Sequence, residues 1–238
     1  MKTLGKVFLY ELRRLLINKF TAGFVAMIGF YSYWIMQNET ILGTANTAPF
    51  SSWSFGVYLT RVLPLMLAAL LFFISFLYSK QAQAVNILID VTSVKVVHYR
   101  FLRYGTVAAA FFFLTLIPIG YAFWFYGVTF RFTEFQTLIG PLIFVIFPTF
   151  LLTMGLGILG GRIHPVIVFV LMALVLLISF VPLPNWFDFF GSAFLTSYPT
   201  QADRLDPDFY VSALQLISKV LCTAAGIVLT IFAAVAHR

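Results

Sequence analysis

Long apolar runs separated by short polar stretches make up most of the sequence. A transmembrane helix needs about 20 consecutive, mainly apolar residues. Six runs approach or exceed that length, at residues 21–37, 57–79, 104–126, 138–160, 165–181 and 213–236. The pattern predicts an all-α membrane protein with six transmembrane helices, in which residues 1–238 form a single transmembrane domain.

The first twenty residues have a different pattern, with apolar and basic positions on opposite sides of a helix. The apolar positions are Leu4, Val7, Phe8, Leu12 and Leu15, and the opposite side carries Lys2, Lys6 and Arg13. Such a helix fits the membrane interface, so we predict an interfacial amphipathic helix over residues 1–20. Glu11 interrupts the pattern, because it falls on the apolar side. The alternative is that these residues extend the first span into water.

Composition supports the membrane assignment. Hydrophobic residues make up 61% of the chain, charged residues 10%, and the mean hydropathy is +0.98. A soluble domain carries about 25% charged residues, so a large soluble catalytic domain is excluded. The single cysteine, Cys222, can form neither a disulfide framework nor a thiolate cluster within one chain.

The net charge of +7 is distributed unevenly between the two sides of the predicted spans. With a cytoplasmic N-terminus, the inner side holds eleven basic residues: Lys2, Lys6, Arg13, Arg14, Lys19, Lys80, Lys95, Arg100, Arg103, Arg162 and Arg238. The outer side holds four: Arg61, Arg131, Arg204 and Lys219. This asymmetry follows the positive-inside rule and predicts that both termini are cytoplasmic. It also explains the basic charge without a nucleic-acid partner.

Two connections are more apolar than ordinary loops. The cytoplasmic connection at 80–103 contains Ile87, Leu88, Val91 and a Thr92-Ser93 turn or cap. It forms either two packed extensions of the flanking spans or a short helix presented to a cytoplasmic protein. The outer connection at 182–212 begins with two prolines and an aromatic cluster, which predicts a re-entrant or interfacial segment.

Small residues and cations within the spans give further expectations. Gly155, Gly157, Gly160 and Gly161 predict close approach of another helix to the fourth span. Arg61 and Lys219 lie near the predicted outer ends of their spans. Either they extend toward the headgroups, or both face a shared outer vestibule that meets an anionic part of a substrate.

The sequence contains none of the catalytic, metal-binding or nucleotide-binding motifs considered below. The histidines His98, His164 and His237 have no carboxylate or cysteine at metal-ligand spacing, and HExxH, Gly-x-Ser-x-Gly and Walker A patterns are absent. We therefore expect no catalytic residue, metal or cofactor in this chain. Work driven by ATP requires another subunit.

The order of these parts resembles the permease subunit of type-2 ATP-binding cassette exporters, over the whole chain. The outer segment Pro184-Asn185-Trp186, then Tyr198-Pro199-Thr200 and Asp203-Arg204, is similar to the family pattern Leu-Pro-x-Trp, Asn-Pro-Leu-x-Tyr and Asp-x-x-Arg. The segments Asp90-Val91-Thr92-Ser93-Val94 and Tyr99-Arg100-Phe101-Leu102 are similar to its coupling region, without the usual proline after the threonine.

The resemblance implies a multi-pass protein of a bacterial plasma (inner) membrane. Its partners would be two cytoplasmic ATPase subunits, which hold ATP and Mg, a second permease copy or paralogue, and membrane lipids. The first and fifth spans would form the dimer seam. The coupling residues would be Ile87, Leu88, Asp90, Val91, Thr92 and Ser93. The alternative function is a membrane anchor that holds a partner without a transport path.

Overall fold

The computed structural model describes residues 2–44, 47–79, 96–181, 188–201 and 205–235. Across these ranges the protein contains α-helices and short 3-10 turns, and no strand. The α-helices are α1 (Lys2–Leu16), α2 (Lys19–Asn38), α3 (Ser52–Leu77), α4 (Val96–Phe130), α5 (Ile139–Ile163), α6 (Pro165–Ile178), α7 (Ser192–Gln201) and α8 (Ala213–Val235). The 3-10 turns are Thr40–Leu42 and Phe135–Leu138.

Several of these helices fit a membrane. By length and composition, α3, α4, α5 and α8 can each cross one, and α1 and α2 make a fifth candidate if they count as one span bent by 63°. A helix lies over each of the six predicted segments, but α6, with 14 residues, is shorter than a usual span. The predicted all-α membrane architecture is confirmed, with four or five candidate spans among the described residues.

The bend between α1 and α2 is stabilised by local hydrogen bonds. Asn18 precedes α2, and its Oδ1 accepts a hydrogen bond from the Phe20 N–H at 3.2 Å. The Thr21 hydroxyl donates to the Leu15 carbonyl at the end of α1, at 2.6 Å. Because Asn18 caps the beginning of α2, α1 and α2 do not form one continuous helix. The amphipathic segment is therefore a separate helix over 2–16.

Helix α3 lies in the centre of the bundle. It packs against α2, α4, α5, α6 and α7, and it is the most buried of the four candidate spans. Its apolar side chains are buried all around the helix, as in Trp53, Phe55 and Leu63. Apolar composition alone would also suit a helix that faces lipid, so the packing of five other helices around α3 is what places it in the core.

Glycines bring α5 and α8 together. A Cβ added at Gly155 would lie 2.6 Å from the Gly226 carbonyl oxygen, and one added at Gly226 would overlap the Leu151 backbone. A Cβ added at Gly157 would lie 2.7 Å from a Leu71 methyl carbon of α3, so α3 also approaches α5 closely. The close approach predicted for the glycine cluster is confirmed, and Gly226 is its partner on α8.

The bundle has two ends of different charge. At the basic end, defined by Arg100, Arg103 and Arg162, arginines donate to the last carbonyls of other helices: Arg100 to Ala234, Arg162 to Ala233 and Arg103 to Leu77. Cations at helix C-termini are favourable because exposed carbonyls and the helix dipole are negative there. These three arginines were predicted on one side of the membrane, and they do share one end of the bundle.

The opposite end, the acidic end, carries Glu39, Glu134, Asp188, Asp206 and Asp208. Hydrogen bonds between residues far apart in the sequence fix its loops. The Ser52 hydroxyl donates to the Thr137 carbonyl at 2.9 Å. The Trp53 Nε1–H donates to the Pro207 carbonyl at 2.7 Å. The start of α3 therefore holds the segments that precede α5 and α8.

Candidate functional site

The segment that precedes α8 folds back onto the bundle at the acidic end. Its helix α7 packs against α3, with Phe190, Phe194 and Leu195 buried. The Trp53 ring of α3 stacks on Tyr198, with centroids 4.9 Å apart and planes 16° apart. Apolar side chains fix this segment to the core, which agrees with a connection that is not a free loop.

Lys219 joins α8 to the beginning of this segment. Its Nζ donates to the Phe189 carbonyl at 2.7 Å and to the Asp188 carbonyl at 3.2 Å. The ammonium also lies 5.3 Å from the centroid of the Phe144 ring of α5, within the range of a cation–π contact. Only 4% of Lys219 is exposed, so the side chain bonds inside the protein and does not extend to the headgroups.

The Asp188 side chain stabilises the turn that leads into α7. Its Oδ1 accepts from the Gly191 N–H at 2.9 Å and its Oδ2 from the Phe194 N–H at 3.0 Å. The carboxylate therefore satisfies amides in and just before the first turn of α7, where free N–H groups are exposed. Gly191 has φ +89°, a conformation that glycine adopts without strain.

We call Asp188, Phe189, Gly191, Phe194 and Lys219 the Lys219 anchor. Its ammonium and carboxylate are both nearly fully buried. Each is hydrogen bonded to backbone groups, and this is the arrangement that buried charges require. The anchor connects α8 to the turn before α7 and, through Phe144, to α5.

Arg61 has a different environment. Its Nε lies 3.4 Å from the Glu39 Oε2, at the end of α2, and about half of each side chain is exposed. Among the described residues, no contact joins Arg61 to Lys219, and the two cations have separate partners. A shared outer vestibule for an anionic substrate stays a prediction.

The predicted coupling residues Ile87, Leu88, Asp90, Val91, Thr92 and Ser93 lie outside the described residues, as do the Pro184-Asn185-Trp186 and Asp203-Arg204 segments. The far part of the predicted 80–103 connection is described, and it is helical. Residues 96–103 form the first two turns of α4. This helix agrees with the alternative in which the 80–103 connection includes a helical extension of the following span.

The basic end is also where α1 meets the bundle. Glu11, Arg14 and Leu15 of α1 lie around a small cavity with Leu77 of α3 and Arg103 of α4. The Arg14 Nη1 lies 3.8 Å from the Glu11 Oε2, one turn away on the same helix. Glu11 thus has a basic neighbour, which explains an acidic residue on the apolar side of α1.

No catalytic constellation emerges from the part of the chain that the structure describes. Within it, no three His, Cys, Asp or Glu side chains form a group that could hold a metal ion. Cys222 is a free, partly buried thiol on α8. The described polar contacts at the acidic end are hydrogen bonds and an ion pair within the protein.

Comparison with known proteins gives no relative: no protein-family model, curated protein or solved structure matches this chain. Its architecture and contacts are therefore the basis for a functional assignment.

The sequence reasoning identified Lys219 but missed its partners. Two backbone carbonyls, those of Asp188 and Phe189, receive the ammonium, and sequence patterns do not reveal backbone acceptors. A signal existed for the carboxylate, since an acidic residue close to the beginning of a helix is favoured by the free N–H groups there.

Proposed function

We propose that this protein is the permease subunit of a type-2 ATP-binding cassette exporter in a plasma membrane. The observation that carries the proposal is the alternation of the helices between the basic and the acidic end, with an amphipathic helix before the first of them and an anchored segment before the last. These parts occur in the order that the exporter permeases have.

The alternation can be followed from the contacts. Helix α3 begins at the acidic end with Ser52 and ends at the basic end, where Arg103 of α4 donates to Leu77. Helix α5 begins beside Thr137 and ends at Arg162, which reaches the end of α8. Since α8 begins at the acidic end again, the chain must return between α5 and α8, and α6 lies on that return.

The chain crosses the membrane six times if α2 and α6 cross it in addition to α3, α4, α5 and α8. Helix α6 has 14 residues and is about 21 Å long, compared with a hydrocarbon core of about 30 Å. Its end lies near Phe189 of the Lys219 anchor, in the wall of a shared pocket. An even number of crossings puts both termini on one side, the cytoplasm, with the basic end facing inward.

The energy for transport comes from a separate ATPase subunit. ATP and Mg belong to the ATPase partners, and the 80–103 region, including Asp90 and Thr92, transmits their movement. The requirement is differential, because ATP must stabilise one arrangement of the helices over another. A second copy of the chain covers exposed apolar side chains of α2 and α6, such as Phe30 and Phe169. Surrounding lipid covers α8, most of which is exposed in the single chain.

Purification in mild detergent, with identification of bound proteins, tests the proposal. We expect an ATPase subunit without membrane spans to remain bound, and Asp90→Ala or Thr92→Ala to change its rate of ATP hydrolysis. Arg131→Gln, an exposed substitution beyond the end of α4, is the control and leaves hydrolysis unchanged. A partner without a nucleotide site would contradict the proposal and favour the anchor function.

A further inference from the structure

Helix α1 has two faces with different neighbours. One face packs on the bundle: α1 contacts α4, Leu15 is buried, and Leu12 packs against the apolar core. Both leucines belong to the apolar side that the sequence predicts for this helix. Because the bundle covers that side, other side chains of α1 meet the surroundings of the protein.

The opposite face of α1 is exposed and carries a continuous row of side chains. We call it the α1 stripe, and it consists of Lys6, Leu9, Tyr10, Arg13 and Ile17. Successive turns of the helix contribute these positions, so they share one side. The Ile17 N–H donates to the Arg13 carbonyl, which continues the helical pattern to the end of the stripe. Its three large apolar side chains are each about two-thirds exposed.

The α1 stripe has a net positive charge. Lys6 and Arg13 are exposed, and in the part of the chain that the structure describes neither side chain has a hydrogen bond or an ion pair. The carboxylate of α1, that of Glu11, lies toward the bundle and 3.8 Å from the Arg14 Nη1. The two outward cations therefore have no counter-charge on α1, and a partner outside the chain has to supply one.

The position of α1 favours a lipid as that partner. Helix α1 is bent by 63° from α2, so it runs closer to the plane of the membrane than to the direction of a span. It lies at the basic end, beside Arg103. A helix in the membrane interface contacts acyl chains with its apolar side chains and anionic headgroups with its cations. The cytoplasmic leaflet is rich in anionic lipids, which attract basic segments next to the membrane.

We propose that the α1 stripe binds anionic phospholipids of the cytoplasmic leaflet. Its two cations contact the negatively charged headgroups, and its three apolar side chains contact the acyl region below them. The proposal rests on the proposed function for its orientation, with the basic end inward, but it needs no ATPase partner. It assigns a headgroup preference to one face of one helix, which differs from the general contact that every span makes with lipid.

Helix α8 offers a comparison surface within the same protein. Leu221 and Val228 of α8 are both 64% exposed, about as much as the apolar side chains of the α1 stripe. The cation of this helix, Lys219, is buried and bonded inside the protein. Acyl chains should reach both surfaces, whereas an exposed cation is present only at the α1 stripe of the two. A headgroup preference confined to the stripe would therefore report charge and not simple exposure to lipid.

Photolabelling of the full chain in lipid nanodiscs tests the proposal. The probes are phosphatidylglycerol and phosphatidylcholine with the same diazirine acyl chain, and mass spectrometry assigns the adducts. We expect the ratio of phosphatidylglycerol to phosphatidylcholine adducts to be about fivefold higher or more at the stripe than on α8. A contribution of about 1 kcal/mol from each cation near the membrane surface corresponds to that factor. In 1 M salt the difference should largely disappear, because the Debye length falls to about 3 Å.

Charge variants complete the experiment. Lys6→Gln combined with Arg13→Gln should lower the ratio at the stripe to that of α8, whereas Arg13→Lys keeps the charge and should retain most of the preference. Arg131→Gln removes a charge at the acidic end and is the control, with no effect expected on the stripe. The chain is purified without a partner, so the result does not depend on whether an ATPase binds.

Three results would overturn the proposal. They are equal ratios at the stripe and on α8, an unchanged ratio in the double variant, and a stripe that neither lipid labels. The last of these would show that protein, such as a second copy of the chain, covers this face of α1.

Discussion

Lys219 and Arg61 are both cations within apolar helices near the acidic end, yet their surroundings are opposite. Lys219 is almost fully buried and donates to two backbone carbonyls of another segment. Arg61 is about half exposed and faces one carboxylate at 3.4 Å. The first joins three helices, whereas the second joins the end of α2 to α3.

The difference shows that a cation in an apolar helix has its role determined by the acceptors that the fold brings to it. A buried ammonium must be compensated, since an unpaired charge in an apolar interior is very costly. A half-exposed pair contributes little, because its charges remain solvated in part. We therefore expect substitutions at the two positions to differ strongly in their effect on stability.

Lys219→Met should give the largest loss of stability. The substitution leaves the Asp188 and Phe189 carbonyls without their donor, and each buried acceptor left unpaired costs about 1–3 kcal/mol. The measurement is the free energy of unfolding in detergent, together with hydrogen exchange of the amides at 188–201. Lys19→Met, at an exposed lysine, is the control and should change neither.

An unchanged or greater stability of Lys219→Met would contradict this reasoning. It would mean that the cost of burying the ammonium exceeds the gain from its hydrogen bonds, as happens for some buried ion pairs.

Asp188→Asn should have the next largest effect. An amide has one acceptor oxygen, so it can bond to the Gly191 or the Phe194 N–H but satisfies the pair less well than the carboxylate. We expect a loss of about 1 kcal/mol or more, the usual value of a helix cap. Hydrogen exchange should show faster opening of α7, and unchanged exchange there would show that the capping is dispensable.

Trp53→Phe should cost about 1 kcal/mol, the net value of one hydrogen bond. It removes the donor to the Pro207 carbonyl and keeps an aromatic ring to stack on Tyr198. The unfolding free energy measures the effect. A loss as large as that of Lys219→Met would show that the segment depends on α3 more than on the anchor.

Arg61→Gln should have the smallest effect, between about 0 and 1 kcal/mol. A double-mutant cycle with Glu39→Gln isolates the energy of the ion pair from other effects of each substitution. A coupling energy well above 1 kcal/mol would show that the pair is shielded in the assembled protein, and the contrast with Lys219 would then be much weaker.

Much of the helical layout could be predicted from the sequence, because apolar periodicity and length determine where helices lie. The glycines of α5 predicted a close helix contact, and the basic residues predicted a common end. The length of α6 was harder, since the helix starts at Pro165 as predicted but stops at Ile178, before the predicted end at residue 181. Hydropathy reports the composition of such a segment and not its length as a helix.

The candidate site was less predictable. Lys219 could be identified as an unusual cation, but its acceptors are carbonyls about 30 residues away, brought close by packing of Phe190, Phe194 and Leu195. Arg61 is also a cation within an apolar segment, yet its partner is a carboxylate at the end of α2. Side-chain direction and tertiary contact separate such positions, and composition does not.

The length of α4 has a mechanical consequence. Its 35 residues extend about 52 Å, some 20 Å more than the hydrocarbon thickness of a typical bilayer. The excess includes the turns around His98 and Arg100, next to the C-terminus of α8. These projecting turns and the part of α4 inside the bundle therefore belong to one continuous helix, in which Pro118 interrupts the backbone hydrogen bonding.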